Sequence, residues 1–399
     1  MTASRAISLP CLGLLLCLAT GTSLVTAQNY QNSRELEAII AAPAPLLANI
    51  ANPPLGLPPM KPPARNPATQ AKIDLGRKLF FDRRLSFNRT LSCAMCHIPE
   101  QGFTQYELKT PVGFEGRFVK RNAPTLLNVG YRRMLFHDGR ESTLENQIWQ
   151  PLLQANEMAN PSIGFVLTTI REAEDYGGLF EQAFEQGLTA ETVGMALASY
   201  QRGLVSADSA FDRWHFDRDQ NAMTEAAKRG WLLFQEMGCI GCHTVEREYA
   251  QFTNGNFYDT GIGYAHSMAI GTEALSVRLA PGVEVTPTVA FPPPAANDLG
   301  RYEATGKSAD RWLYRVPTLR NVAITGPYMH NGTLADLEAV IAYYNSGGFP
   351  HEGLDPRIRP LGLDAGQKSD LVAFLESLTG SNVAALAGDG RSQEIGNAP

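Results

Sequence analysis

The sequence predicts an all-α fold made of two similar helical halves. The main observation is that the pattern Cys-x-x-Cys-His occurs twice, at residues 93–97 and 239–243. Each copy follows a stretch in which apolar residues recur at helical spacing, and strand-like alternation is scarce elsewhere. The chain has 399 residues, of which 44% are apolar and 19% charged, so it is long enough for about two domains with sizeable cores.

The N-terminus has the three parts of a secretory signal peptide. Arg5 supplies the positive start, LPCLGLLLCLATG the apolar middle, and a small-residue cleavage site ends at Ala27. We therefore expect residues 1–27 to be removed and the mature protein to reside in the periplasm. Loss of Arg5 reduces the 34 basic residues to 33 against 40 acidic ones, a net charge of −7.

The mature composition argues against two classes of protein. A nucleic-acid-binding protein needs a basic face, which an acidic chain does not indicate. No apolar run after the signal peptide approaches the length of a membrane span. We therefore expect neither a nucleic-acid partner nor a membrane span.

Composition also divides the mature chain. A proline-rich arm covers residues 28–65, and we expect it to be extended and to lie on the surface. A first domain is predicted over residues 66–218 and a second over 219–399, with the boundary in FDRWHFDRDQNAMT. A second proline-rich stretch, at residues 279–300, predicts a long loop.

Helices are predicted beside both motifs. TEAAKRGWLLFQEMG precedes the second motif and offers Thr224 as an N-cap. KIDLGRKLFFDRRLS precedes the first and shares a Gly-x-x-Leu-Phe pattern, with Gly76 matching Gly230. Near the C-terminus, DAGQKSDLVAFLESLTG predicts an amphipathic helix that stops at Gly380. FVLTTIREAEDYGGLFEQAFEQ and TAETVGMALASYQRGLVS also have helical spacing.

Each Cys-x-x-Cys-His run is the attachment pattern of a covalently bound haem c. Two thiols at this spacing reach the two vinyl groups of one porphyrin, and the adjacent histidine presents a ring nitrogen to the iron. The predicted ligands are Cys93, Cys96 and His97 for the first haem and Cys239, Cys242 and His243 for the second. A helix before the haem motif and a helix that closes the domain are typical of cytochrome c, here used twice.

Two other readings use the same cysteines. A tetrahedral zinc site could be built from both pairs, but it would need pairs that are distant in sequence to meet, and it gives no reason for the two histidines. A thioredoxin-like redox pair would need a βαβ context, which the sequence does not indicate.

The motifs and their order resemble the bacterial dihaem cytochrome c peroxidase and MauG family. The matching segments lie between about Pro59 and Gly380: LGRKLFFDRRLS, SCAMCH, RNAPTLLNV, FHDGRESTLENQIWQPLLQANEM, GCIGCH, RVPTLRNVAITGPYMHNG and YYNSGG. The resemblance implies two cytochrome c-like haem domains packed around an inter-haem interface. It also implies that the N-terminal haem reacts with peroxide and that the C-terminal haem is six-coordinate and passes electrons.

The resemblance also implies roles for residues outside the haem motifs. Glu157 and Gln147 correspond to the distal residues of the peroxide haem, with Glu157 as acid–base group and Gln147 as a positioning hydrogen-bond partner. A calcium ion between the haems would be bound by Asn122 and by the main-chain oxygens of Thr325 and Pro327.

Two segments indicate the subfamily. Relatives that need reductive activation carry a histidine shortly before RNAP, whereas ELKTPVGFEGRFVK has none, so the first haem should be five-coordinate. Tyr344 occupies the position where simple peroxidases have a methionine ligand of the second iron and MauG-like proteins a tyrosine. A phenolate favours oxidised iron, whereas a thioether raises the reduction potential. Tyr343, Met329 and Met268 remain alternative ligands.

Two positions depart from the MauG pattern. His137 stands where the family has a tryptophan between the haems, and Met237 stands where MauG has a surface tryptophan before the second motif. The first departure bears on the electron route between the haems, and the second on the exit route to a large protein substrate.

We therefore expect an oxidoreductase that consumes hydrogen peroxide. Tyr344 favours a MauG-like enzyme that oxidises a partner protein, such as a methylamine dehydrogenase precursor. The alternative is a cytochrome c peroxidase that takes electrons from a small cytochrome c or a cupredoxin. A non-enzymatic electron carrier and a gas or redox sensor are the alternatives from other classes, and steady peroxide turnover would distinguish the enzyme from both.

Overall fold

The computed structural model describes residues 44–268, 277–280, 283–285 and 297–391, so the predicted signal peptide and the start of the arm lie outside it. The described chain is mostly helical, which confirms the predicted class. The helices are Leu46–Ala51, Gln70–Phe81, Leu144–Gln147, Trp149–Leu153, Ile163–Glu172, Leu179–Ala183, Ala190–Gly203, Ala210–His215, Glu225–Glu236, Ile262–Met268, Tyr302–Thr305, Leu337–Asn345, Ala365–Glu376 and Val383–Arg391. None of the described helices has the length and apolar character needed to cross a membrane.

Strands are few and short. Phe257–Tyr258 pairs antiparallel with Tyr314–Arg315, and Val277–Ala280 pairs antiparallel with Val283–Val285. The second pair lies at the start of the stretch predicted to be a long loop, so that prediction is wrong there. The sequence contains the relevant signal, because a Pro-Gly dipeptide, which favours turns, separates two runs that contain β-branched valines.

The same helix crossing occurs in both halves of the chain. Gln70–Phe81 crosses Ala190–Gly203 so closely that a Cβ on Gly76 would lie 2.0 Å from the carbonyl oxygen of Ala196. Glu225–Glu236 crosses Ala365–Glu376 in the same way, and a Cβ on Gly230 would lie 1.9 Å from the carbonyl oxygen of Asp370. The repeated Gly-x-x-Leu-Phe pattern therefore marks the point where two helix backbones touch.

Local capping signals explain where these helices begin. The Thr224 side chain accepts a hydrogen bond from the amide of Ala227, so the predicted N-cap is confirmed. Asp364 caps the last of the four crossing helices through a capping box with Gln367. That helix ends at Glu376, before the predicted stop, and the amide of Gly380 instead donates to Asn321 Oδ1 at 2.8 Å.

Buried apolar side chains form two large clusters. The first is built around Gln70–Phe81 and Ala190–Gly203, and the second around Glu225–Glu236 and Ala365–Glu376. Each also takes a residue from elsewhere in the chain: Leu386 from the last helix packs in the first cluster, and Phe211 packs in the second. The halves are thus interlocked, and the domain boundary near residue 218 stays a prediction.

The proline-rich arm departs from the expected extended surface segment. Its first described part is a helix, Leu46–Ala51, whose Leu46 and Ile50 are buried in the first cluster. Leu46 and Ile50 are four residues apart in a run without proline, so they share one face of a helix. Further along the arm, the carbonyl of Gly56 accepts a hydrogen bond from the buried Arg320 guanidinium at 2.6 Å. The arm is therefore part of the core.

We predict that Gly230→Ala destabilises the protein. The added Cβ would meet the backbone of Asp370, which cannot move as a side-chain tip can, so the two helices must separate. Overpacking of this kind costs about 1–3 kcal/mol of unfolding free energy, measurable by denaturant titration. Gly164→Ala is the control, because Gly164 is also helical and its nearest contact is 3.7 Å away. Equal stability of the two variants would contradict a tight crossing.

Candidate functional site

The first Cys-x-x-Cys-His copy lies on a short 3-10 turn, Cys93–Met95, after the helix Gln70–Phe81. His97 Nδ1 lies 3.1 Å from the carbonyl oxygen of Phe103, and because a carbonyl only accepts, Nδ1 carries the proton. Burial lowers the pKa of His97 to about 4, so its ring is neutral near pH 7. Nε2 of His97 therefore keeps a lone pair that can bind a metal.

The second copy is built in the same way. It lies on the turn Cys239–Gly241 after the helix Glu225–Glu236. His243 Nδ1 donates to the carbonyl oxygen of Phe252 at 2.9 Å, and burial lowers the pKa of this histidine as well. Both histidines thus have the tautomer that leaves Nε2 free as a ligand.

A repeated threonine supports both carbonyl acceptors. Thr125 Oγ1 donates to the carbonyl of Gly102 at 2.5 Å, and Thr318 Oγ1 donates to the carbonyl of Gln251 at 2.7 Å. Gly102 and Gln251 each directly precede the phenylalanine that accepts from the motif histidine. Sequence reasoning missed these threonines, although the repeated Pro-Thr-Leu in NAPTLLNV and RVPTLRNV was the available signal.

All four motif cysteines are unpaired, and burial raises the pKa of the Cys93 and Cys96 thiols to about 12. Within the described ranges, no group of three or more His, Cys, Asp or Glu is arranged to hold a metal ion, so the two cysteine pairs do not converge on a zinc site. Two free thiols beside a neutral histidine with an available Nε2 fit the covalent attachment of a haem c in each half.

Glu157 lies beside the first motif. Two backbone hydrogen bonds hold this residue in place. The Glu157 carbonyl accepts from the N–H of Phe114, and the Glu157 N–H donates to the carbonyl of Gln154, each at 2.9 Å. Burial raises the pKa of Glu157, and Arg140 opposes the rise. After burial, the Glu157 carboxylate is the second cause of the raised pKa of Cys96, so this carboxylate is electrostatically close to the motif.

Gln147 lies at the end of the short helix Leu144–Gln147, which Glu145 anchors. Glu145 forms a buried ion pair with Arg202, with oxygen–nitrogen distances of 2.8 and 3.0 Å. The Gln147 side chain is partly exposed and forms no hydrogen bond with the residues that the structure describes. Its helix is therefore well fixed, whereas its amide is free to bind a ligand.

Tyr344 lies beside the second motif, on the helix Leu337–Asn345. Burial raises the pKa of Tyr344 above its usual value, and Tyr343, Cys239 and Cys242 raise it further. The neighbouring Tyr343 hydroxyl is already engaged, because it donates to the carbonyl of Thr260 at 2.6 Å and accepts from the amide of Phe349 at 3.1 Å. Of the two adjacent tyrosines, the geometry thus favours Tyr344 as a ligand.

The three residues expected to bind calcium come from segments that meet. The backbone N–H of Asn122 donates to the carbonyl of His330 at 2.7 Å, and His330 is three residues after Pro327. A Cβ built on Gly102 would lie 3.0 Å from the methyl group of Thr325, so the 325–330 segment packs against the first half.

His137 connects the two halves. Its Nε2 donates to the carbonyl of Asn122 at 2.9 Å, and its own carbonyl accepts from the amide of Arg315 at 2.8 Å. Burial lowers the pKa of His137 to about 4, so the ring is neutral near pH 7. With one ring nitrogen bonded to the backbone, His137 fixes two segments relative to each other, which gives it a structural role.

Comparison with known proteins gives matches over most of the chain. The family described as "Di-haem cytochrome c peroxidase" matches residues 70–221. The methylamine utilization protein MauG of Methylorubrum extorquens is 36% identical over 321 residues, which cover 79% of this chain and 80% of MauG. The cytochrome-c peroxidase IdrP1 of Denitromonas iodatirespirans is 35% identical, with 82% of this chain and 86% of that protein covered.

A solved structure has a similar fold. The crystal structure of a MauG-like protein associated with microbial copper homeostasis superposes with a TM-score of 0.69 at 30% sequence identity. The match covers 84% of this chain and 96% of that chain.

We predict that Tyr344→Phe alters the low-spin electron paramagnetic resonance signal of the second haem, because it removes the proposed phenolate ligand. The oxidised wild-type protein should also lack the weak near-infrared band of methionine-ligated ferric haem. Tyr343→Phe is the matched control, since it loses only the hydrogen bonds to Thr260 and Phe349. A changed signal in the control with an unchanged signal in Tyr344→Phe would reverse the assignment.

Proposed function

This chain belongs to the bacterial dihaem cytochrome c peroxidase and MauG family and is an oxidoreductase; on that premise we propose that it reduces hydrogen peroxide at an N-terminal haem c in the periplasm and draws electrons through a C-terminal haem c. The observation that carries the proposal is the twofold construction of the motifs. In each, two free thiols precede a histidine whose Nδ1 donates to a backbone carbonyl.

In this proposal, the haems supply the redox chemistry and the chain supplies ligands, position and protons. Cys93 and Cys96 would hold one porphyrin and His97 Nε2 would bind its iron, and Cys239, Cys242 and His243 would do the same for the other. The carbonyl partners of both histidines fix the ring orientation and increase the basicity of Nε2. The overall reaction consumes one hydrogen peroxide, two protons and two electrons and releases two waters.

Glu157 is proposed to move the proton in peroxide cleavage. With a haem at the first motif to supply the redox chemistry, Glu157 would take up a proton from one oxygen of hydrogen peroxide and return it to the other, which leaves as water. A carboxylate accepts and then returns that proton, and a raised pKa brings Glu157 closer to the pH at which such a transfer is efficient. Gln147 is proposed to orient peroxide through its unbonded side-chain amide.

The second haem and its ligand bear on the electron source. A Tyr344 phenolate would favour oxidised iron, which suits MauG-like withdrawal of electrons from a partner protein, such as a methylamine dehydrogenase precursor. The alternative is a cytochrome c peroxidase supplied by a small cytochrome c or a cupredoxin. A non-enzymatic dihaem electron carrier would not need a carboxylate with a raised pKa beside the first motif, so Glu157 argues against that alternative.

A calcium ion is proposed between the haems, bound by Asn122 and the main-chain oxygens of Thr325 and Pro327. Backbone and amide oxygens are suitable ligands for this hard cation. Because these ligands come from segments before and after the second motif, the ion would couple the two sites rather than take part in proton transfer.

We predict that Glu157→Gln slows the reaction with peroxide by about 10²–10⁴-fold while both haems are retained, since glutamine keeps the size of the side chain but cannot take up a proton. Stopped-flow mixing of the ferric protein with peroxide measures this rate. Burial raises the pKa of Glu157, so the wild-type rate should fall on acidification at a higher pH than for an exposed glutamate. This pH dependence should be absent in the variant.

The control for Glu157→Gln is Glu172→Gln, which makes the same chemical change at an exposed helix position. It should react at the wild-type rate. If Glu157→Gln also reacts at the wild-type rate, another group moves the proton. If the wild-type protein holds two haems but shows no peroxide turnover with any reductant, the proposed peroxidase function is wrong and the electron carrier and the sensor are the remaining alternatives.

Removal of calcium should lower peroxidase activity and shift the haem absorption bands, and added calcium should restore both. Asn122→Ala should weaken calcium binding in an equilibrium titration, because the side-chain oxygen is lost. Asn221→Ala, at an exposed position, is the matched control. Absence of calcium by elemental analysis, together with no response to a strong chelator, would refute the site.

A further inference from the structure

Two arginines near both motifs lack a carboxylate partner. Arg315 is 7% exposed, and its guanidinium donates only to the carbonyl oxygens of Phe136 and Val316, each at 3.2 Å. Arg132 donates to the carbonyl of Thr125 at 3.0 Å, while its Nε is buried without any hydrogen-bond partner. Across the described part of the chain, neither guanidinium forms an ion pair.

Three other arginines are almost fully buried, and each of them forms an ion pair. Arg121 forms ion pairs with Asp138 and Asp298, Arg202 with Glu145, and Arg320 with Asp212. A buried charge without a counter-charge is costly, which is why buried arginines are normally paired. The missing carboxylates beside Arg132 and Arg315 thus indicate an anion that is not part of the described protein.

The position of the two arginines indicates where this anion comes from. Arg132 donates to the carbonyl of Thr125, whose hydroxyl bonds the peptide directly before Phe103, the backbone partner of His97. Arg315 donates to the carbonyl of Val316, which also accepts from the hydroxyl of Thr253, the residue directly after the backbone partner of His243. The segments that carry the two arginines also meet, because Arg315 Nε donates to the carbonyl of Phe136, four residues after Arg132, and the Arg315 charge adds to burial in lowering the pKa of Arg132. They therefore form a cationic pair between the two motifs.

We propose that Arg132 and Arg315 bind the propionate carboxylates of the two haems. The inference rests on the proposed function, because it requires haem at both motifs. The thiols take up the vinyl groups and the histidines the iron, which leaves the propionates as the anionic groups that each haem brings into the protein. A guanidinium can donate two parallel hydrogen bonds to a carboxylate, and Arg132 Nε, which has no hydrogen-bond partner, is available for one of them.

The pair would have an electrochemical consequence. A positive charge near a haem stabilises the reduced form, because reduction removes one positive charge from the iron. Arg132 and Arg315 should therefore raise the reduction potentials and keep the propionates ionised. Replacement of either arginine by methionine should lower the potential and leave a buried propionate that takes up a proton as the pH falls.

The test uses the holoprotein and begins with its haem content, measured as the pyridine haemochrome. Spectroelectrochemical titrations then give the midpoint potentials of both haems in Arg132→Met, Arg315→Met and Arg132→Lys, between about pH 5 and 8, the range in which propionates are expected to titrate. Arg229→Met is the control, because it removes the same charge at an exposed position. The Arg229 side chain is 60% exposed and forms an ion pair with Asp370.

Each methionine variant should reduce the equilibrium constant for reduction of at least one haem by about tenfold or more, which is 59 mV for a one-electron couple. The decrease in midpoint potential relative to the wild type should become larger as the pH rises, because the propionate then loses its proton. Arg132→Lys should recover part of it, and Arg229→Met should resemble the wild type. Methionine variants that match Arg229→Met at every pH would overturn the inference, although the two-haem function would stand.

A wild-type protein without haem would instead overturn the proposed function, and this inference with it. If the methionine variants fail to fold, a crystal structure of the wild-type holoprotein decides the question. A guanidinium nitrogen of Arg132 or Arg315 within about 3.2 Å of a propionate oxygen supports the inference, and no propionate within that distance of either residue refutes it.

Discussion

The hydrogen bond from each motif histidine to a backbone carbonyl is the contact on which both sites depend. It fixes the tautomer of His97 and His243, so that Nε2 of each ring is available as a ligand. The carbonyl acceptors are in turn supported by Thr125 and Thr318, which bond the preceding peptide. The two halves share this arrangement because they repeat the same short sequence, and each places it under a helix crossing with a glycine at the contact.

The two sites differ in the ionisable side chain that lies beside each motif. A half-buried carboxylate, Glu157, accompanies the first motif, whereas a half-buried phenol, Tyr344, accompanies the second. A carboxylate with a raised pKa suits proton transfer, and a phenol suits metal ligation or electron transfer. One repeated framework can thus support the division of labour proposed here, with peroxide cleavage in the first half and electron delivery in the second.

Local sequence signals predicted much of the fold and of the motif geometry. The Thr224 cap and the paired glycines, Gly76 and Gly230, follow from short-range rules that tertiary structure did not override. The helix Leu46–Ala51 was missed because the prolines around it dominate the composition of the arm. The cationic pair of Arg132 and Arg315 could not be predicted, since the absence of a carboxylate partner is a property of the folded chain. Alignment alone could not separate Tyr343 from Tyr344, because the distinction lies in which hydroxyl is already bonded.

The central claim is that both Cys-x-x-Cys-His copies carry a covalent haem. The direct measurement is the number of haems per polypeptide, from the pyridine haemochrome and the intact mass of the denatured protein. The account predicts two for the wild type and one fewer for a variant in which Cys93 and Cys96 are both replaced by serine, and likewise for Cys239 and Cys242. A wild-type protein with one haem or none would contradict it.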